Sequence, residues 1–287
     1  MVTPGYIPPH PSPSKPKTIL PPGACDSHCH VFGPGDRFPY SPKSSYIPPD
    51  APAEQLEALH AHLGFQRAVV VQASCHGTDN SAMVEALRRR DHWKGIAILD
   101  GNETDDQLAE MTDVGVRGVR FNFVPRLKAA QSLDECRAVL SRVAKLGWHL
   151  VVYFEPAALP GITDFLRESP VQVAIDHMGL SPVDEGVDGE AFGRLAELMR
   201  DDRFWVKISG AERVSRAGPP YADVDPIARE LLRIAPDRVL FGTDWPHPNM
   251  TTHSPDDGKL VDRLTEICDA EQLRKVLVDN PVRLYFS

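Results

Sequence analysis

From residue 24 onward, short apolar runs rich in Val, Ile, Leu and Phe alternate with longer segments of helical period. The runs fall at 24–32, 67–73, 95–100, 117–123, 149–155, 171–177, 204–209 and 238–244. Most are continuously apolar, the pattern of parallel strands buried on both faces. Between them, helical spacing of apolar positions covers 53–63, 80–90, 105–113, 133–146, 191–200, 226–235 and 258–268, with a closing helix near 270–279. Eight strand–helix pairs in 287 residues predict an α/β protein, a single-domain (β/α)8 TIM barrel spanning 24–287. A doubly wound open sheet is the competing topology, but no glycine-rich phosphate loop follows the first strand. Ahead of the barrel lies a proline-rich N-terminal arm, residues 1–23, whose composition predicts a disordered tail, with a strap along the body as the alternative.

In such a barrel the working residues sit at the C-terminal ends of the strands. There the chain offers His28 and His30, Ser74, Arg120 and Arg126, Tyr153, Asp176 and His177, Lys207 with Arg213 beyond it, and Asp244 followed by Asn249. Alternation along a strand puts His28 and His30 on one face. Polar groups are costly to bury unpaired, so apolar strands that all end in them imply one shared polar site. Three imidazoles facing Asp244 make either most of a divalent-metal shell or a metal-free set of electrophiles and a base, and both remain open on the residues alone.

Composition narrows the ligand. With 42% apolar and 25% charged residues the chain has the makeup of a globular enzyme, and its net charge of −9 argues against nucleic acid as a partner. On so acidic a chain, Arg120, Arg126 and Arg213 gathered at one mouth point to a small polycarboxylate, because guanidinium forks match carboxylates. Five cysteines without a repeating spacing suit a reducing compartment, no apolar stretch approaches a membrane span, and the first residues lack a signal peptide's apolar core, so the expected location is cytoplasmic. Composition leaves the oligomeric state open.

The segments DSHCHVFGPGD, VVVQASCHGTDN, GVRGVRFNFV, IDHMG, FGTDWPHPN and DNPVRLY together resemble the amidohydrolase superfamily, from about residue 24 to the C-terminus. FNFVPR, AGPPY at 217–221 and WPHPN resemble its lactone-hydrolysing branch. The resemblance implies hydrolytic opening of a lactone, with a cyclic pyrone dicarboxylate as the expected substrate. It also implies Asp244 as the base that activates water and His28, His30 and His177 as the groups that polarise the carbonyl. Arg120, Arg126 and Arg213 become carboxylate clamps, with Tyr153, Ser74 and Asn249 as further substrate contacts. Strands four and five carry Arg120, Asn122 and Tyr153 where metal-dependent members place further ligands, with Glu155, two residues past Tyr153 on the same face, as a substitute, and the expectation is that no metal is required. If one binds, His28, His30, His177 and Asp244 are its ligands. Two alternatives stand beside this reading. One is a Zn- or Mn-dependent hydrolase or decarboxylase acting on another carboxylated, sulfonated or sugar-acid lactone, and the other is a non-catalytic carboxylate-binding barrel.

Overall fold

A computed structural model describes residues 2–127 and 131–287 of the chain. Among the described residues, eight parallel strands follow one another in sequence order around a barrel. They are β1 (Cys25–Cys29), β2 (Arg67–Val71), β3 (Trp93–Ala97), β4 (Val116–Phe123), β5 (His149–Phe154), β6 (Val173–Ile175), β7 (Phe204–Lys207) and β8 (Val239–Leu240). The barrel closes where the chain past β8 meets β1: Ser27 N–H donates to Phe241 C=O (2.8 Å), Asp244 N–H to His28 C=O (2.7 Å) and His30 N–H to Trp245 C=O (2.8 Å). Gly242 makes this approach possible, since a methyl group there would lie 2.6 Å from the His28 backbone nitrogen.

Helices fill the connections: α1 (Ala53–Leu63), α2 (Ser81–Arg88), α3 (Asp105–Asp113), α4 (Leu133–Val143), α5 (Leu159–Arg167), α6 (Glu190–Leu198), a short α7 (Ala211–Val214), α8 (Asp225–Ile234), α9 (Asp257–Ile267) and α10 (Ala270–Arg274). Thr104 and Ser132 close capping boxes with Gln107 and Glu135, which fix the starts of α3 and α4. Helix α5 is absent from the periodic segments read in the sequence because Pro160 and Gly161 interrupt its first turn, where the proline's missing N–H costs nothing. The strands end earlier than the apolar runs suggested, most clearly β6 and β8, because the last residues of each run turn away into the site.

Two apolar layers result. Cys25, Val69, Val71, Ile96, Val151, Ala174, Trp205 and Leu240 fill the interior of the barrel with Tyr285 from the C-terminal turn, while a larger cluster joins the strands to the helices. The N-terminal arm is not a disordered tail. It runs over the body on fixed contacts: Ser14 donates to Asp256 from its backbone N (2.9 Å) and hydroxyl (2.6 Å), Thr18 N–H to Asp262 (2.9 Å) and Gly23 N–H to Gln66 (2.6 Å). Ser14 C=O presses directly on Gly258, a position that leaves no room for a side chain. All five cysteines are buried and free, and among the described residues no helix is long and apolar enough to cross a membrane.

Candidate active site at the mouth of the barrel

The C-terminal ends of the strands surround a narrow cleft. Its walls include His30, Ser74, Arg120, Arg126, Tyr153, His177, Arg213, Asp244 and Asn249, all singled out in the sequence. His28 lies just behind them, fully buried. Three of these side chains hang on backbone with positive φ, at His177 (52°), Asp244 (64°) and Asn249 (65°). Non-glycine residues take that conformation at a cost that the surrounding structure must hold, a form of strain concentrated at functional sites.

Asp244 is the centre. Its Oδ1 is approached by His30 Nε2 at 3.2 Å, His28 Nε2 at 3.5 Å and His177 Nε2 at 3.9 Å. Its Oδ2 accepts from Arg213 Nε at 2.6 Å and is also paired with a terminal nitrogen of that guanidinium. Burial works to raise the Asp244 carboxyl, but Arg213 together with the histidines holds it well below the usual carboxylate range. Burial drives His28 down to about 3 and His177 well below the ordinary imidazole range, so both rings are neutral, and Arg213 is the permanent cation paired with the base among the described residues.

Partners outside the cleft orient the imidazoles. His30 Nδ1 lies 2.8 Å from Val71 C=O and its Nε2 is hydrogen-bonded to Asp244 Oδ1 at 3.2 Å, so both ring nitrogens face oxygen acceptors. His28 Nδ1 lies 3.1 Å from Lys207 Nζ and 3.1 Å from Asp176 Oδ1, which hold the ring in place. Its Nε2 is buried, 3.5 Å from Asp244 Oδ1, and has no hydrogen-bond partner among the described residues. His177 Nδ1 is held by Ser209 Oγ at 2.9 Å.

His28, His30 and Asp244 offer donor atoms within 4.8 Å of one another, a spacing that suits a divalent cation. Asp176 Oδ1, 3.1 Å from His28 Nδ1, can hold a proton at that nitrogen and leave the Nε2 lone pair for an ion. Glu155 turns outward toward Arg126, 4.0 Å away, and adds no ligand.

The arginines differ in their attachments. Arg120 is buried and locked to Asp176 Oδ2 through Nε at 2.9 Å, beside Lys207, which approaches Asp176 Oδ1 at 3.1 Å. Burial works to raise the Asp176 carboxyl, and Lys207 above all holds it well below the usual range. Arg126 is half-exposed and donates to the Tyr153 hydroxyl at 2.7 Å. Arg120 and Arg126 also stand over the Tyr153 ring, at 5.0 and 5.8 Å.

Several residues of the site received no role from the sequence. Tyr46 lines the cleft and shares a 3.1 Å hydrogen bond with Ser74 Oγ, yet sits in a loop without periodic pattern. Asp176 and Lys207 were visible only as charges closing apolar runs. Under the Asp244 loop, His247 bridges Glu212 (3.0 Å) and Asp257 (3.1 Å), all three buried. Burial disfavours the His247 cation, but Asp257 and Glu212 outweigh it and raise the imidazole to about 10.

Comparison with known proteins identifies the family. Over 99% of its length the chain is 49% identical to a 2-pyrone-4,6-dicarboxylate hydrolase of Comamonas testosteroni, covering 97% of that protein. It is 40% identical to a 4-sulfomuconolactone hydrolase of Hydrogenophaga intermedia, over 93% of this chain and 90% of that one. A crystal structure of a Pseudomonas putida protein named for 2-pyrone-4,6-dicarboxylic acid hydrolysis superposes with a TM-score of 0.79 at 30% identity, covering 93% of this chain and 98% of the other. The amidohydrolase family model matches residues 25–286, nearly the whole barrel, and the chain belongs to the amidohydrolase family.

Proposed function

We propose that the protein is a lactone hydrolase that opens 2-pyrone-4,6-dicarboxylate to the open-chain oxalomesaconate or its enol, using Asp244 as the base. The observation that carries this reading is the convergence of a buried, ionised Asp244 and three imidazoles on a cleft rimmed by Arg120, Arg126 and Arg213. The 49% identical relative that acts on the same dicarboxylate supports the substrate.

A water held between Asp244 and the bound ring adds its oxygen to the lactone carbonyl carbon, and its proton passes to Asp244 Oδ1. That oxygen is hydrogen-bonded to His30 Nε2 at 3.2 Å, which holds the carboxylate in place as it takes the proton. His28 Nε2–H donates to the carbonyl oxygen as it becomes an alkoxide, with His177 beside it. Such a positioned donor contributes roughly 3–4 kcal/mol. Collapse of the tetrahedral intermediate breaks the ring C–O bond, and the proton held at Asp244 goes to the departing enolate oxygen. Arg120, Arg126 and Arg213, with Tyr153, Ser74 and Asn249, hold the two carboxylates, and their positive charge keeps those anions from raising Asp244. No step requires a metal. The cation-compatible spacing favours one second reading, a metal-dependent hydrolase with His28, His30, His177 and Asp244 as ligands.

The loss of pyrone absorbance, followed with and without a chelator, separates the two. Wild-type turnover is expected to survive chelation. Asp244→Asn is expected to lower kcat by at least ~10³-fold while substrate affinity stays within about tenfold, the pattern of a group that acts on the transition state. Stoichiometric metal whose removal abolishes turnover would overturn the metal-free mechanism, and ring opening by the variant would remove Asp244 as base.

A further inference from the structure

The N-terminal arm does more than lie along the barrel, because its first residues join two loops that line the cleft. Thr3 N–H donates to Ile47 C=O at 2.8 Å, and the Thr3 hydroxyl accepts from Ile47 N–H at 2.8 Å, so the arm is tied to the loop that carries Tyr46. Four residues on, Ile7 N–H donates to Met250 C=O at 3.0 Å, which ties it to the loop that carries Asn249. Between these anchors the chain turns through Gly5 at φ +78°, with Tyr6 N–H bonded to Thr3 C=O at 3.1 Å. The turn delivers the Tyr6 ring onto the Tyr46 ring, with centroids 6.0 Å apart and planes 19° from parallel. Tyr46 in turn reaches Ser74, and both face the cleft.

We propose that the N-terminal arm is a working part of the active site, in which Tyr6 is a positioning residue that holds Tyr46 and Asn249 against the substrate's carboxylates. The inference rests on the dicarboxylate lactone reading above and extends it to a segment outside the barrel.

The argument is one of geometry and entropy. The Tyr46 loop and the Asn249 loop belong to opposite ends of the sequence, and Asn249 stands on strained backbone. Each immobilised side chain or loop residue that must be ordered on binding lowers affinity, so a clamp that orders both beforehand strengthens binding. The ring is what reaches Tyr46, by stacking. Burial pushes the Tyr6 phenol up and the Asn249 backbone acts on it in the opposite sense, which places the ring against both loops. Farther along, Ser14 on Asp256 and Thr18 on Asp262 fix the arm's path, and Gly258 leaves space for it. The arm is thus seated along its length, and its end is held at the mouth.

The test compares Tyr6→Ala and Tyr6→Phe in the full chain. Tyr6→Ala is expected to raise KM for 2-pyrone-4,6-dicarboxylate about tenfold with kcat within about twofold. Tyr6→Phe, which keeps the ring, is expected to stay within about twofold of wild type in both constants. Equal KM for all three proteins would overturn the proposal, as would a fall in kcat without a change in KM. A readout that needs no substrate is amide exchange, in which Tyr6→Ala is expected to speed exchange at Ile47 and across 247–250 without moving the barrel's own amides. If those amides are unchanged the clamp is wrong. If they speed up while wild type opens no pyrone, the clamp stands and only the substrate assignment falls.

Discussion

At the level of single residues the site is a set of side-chain orientations imposed from outside the cleft. The Val71 carbonyl holds His30 through Nδ1, and Lys207 and Asp176 hold His28. The same division separates the arginines. Arg120 belongs to a buried ion pair with Asp176, whereas Arg126 is held by one phenol hydroxyl and half-exposed. Breaking a buried pair strands a charge, at a cost of roughly 3–5 kcal/mol, while loss of an exposed arginine removes little from the fold. Arg126→Met is therefore expected to raise KM for the dicarboxylate by more than tenfold with an unchanged melting temperature, and Arg120→Met to lower the melting temperature by several degrees. Steady-state kinetics and thermal unfolding on the same two proteins check both. Much of this scale was legible beforehand. Ten residues placed at strand ends by the barrel rule gather at one mouth, because the fold alone brings those ends together. Lys207 was visible as a charge inside FWVKIS, but its partner His28 is 179 residues away, and no local pattern joins the two. Tyr46 had no signal at all, since a loop residue acquires its meaning from what packs over it.

At the level of elements, the junction between β8 and β1 carries the geometry on which the chemistry depends. Asp26 accepts from Thr243 N–H (3.0 Å) and the Thr243 hydroxyl (2.6 Å), and it takes His60 Nε2 of α1 at 3.0 Å. One carboxylate thus fixes the strand that supplies the histidines to the strand that supplies Asp244. Gly242→Ala places a methyl group against the His28 backbone, and the strands must part. Overpacking of this kind costs about 1–3 kcal/mol, with a loss of activity larger than the loss of stability because a shift near 1 Å displaces Asp244 from His30. Denaturant unfolding and kcat measured together check the expectation, and an unaltered kcat with reduced stability would count against it. The sequence showed every strand of this barrel because continuous apolar runs survive burial on both sides. It hid α5 behind Pro160 and Gly161, and it overran the ends of β6 and β8, since Asp176, His177 and Asp244 leave the ladder to enter the site.

For the whole molecule, charge links the stability of the fold to pH. His247 sits between Glu212 and Asp257 with its imidazole raised to about 10, against ~6.5 for an unfolded histidine. A raised pKa stabilises the fold fully below the unfolded value, and that contribution declines as pH climbs and is lost above about 10. The melting temperature is expected to fall between pH 7 and 10, and to fall less steeply in His247→Gln, which has no proton to lose there. Parallel curves for the two proteins would mean that other groups dominate the alkaline limb.

The seat of the arm bears on how the protein is handled at the bench. Thr3 is fixed at the rim of the mouth, while Ser287 lies at the opposite end of the barrel, beside His149 and Trp205. A purification tag or surface tether joined ahead of Thr3 would crowd the entrance through which substrate arrives. One joined after Ser287 leaves the entrance open to solution, so immobilised enzyme attached by its tail is the form that should keep its affinity.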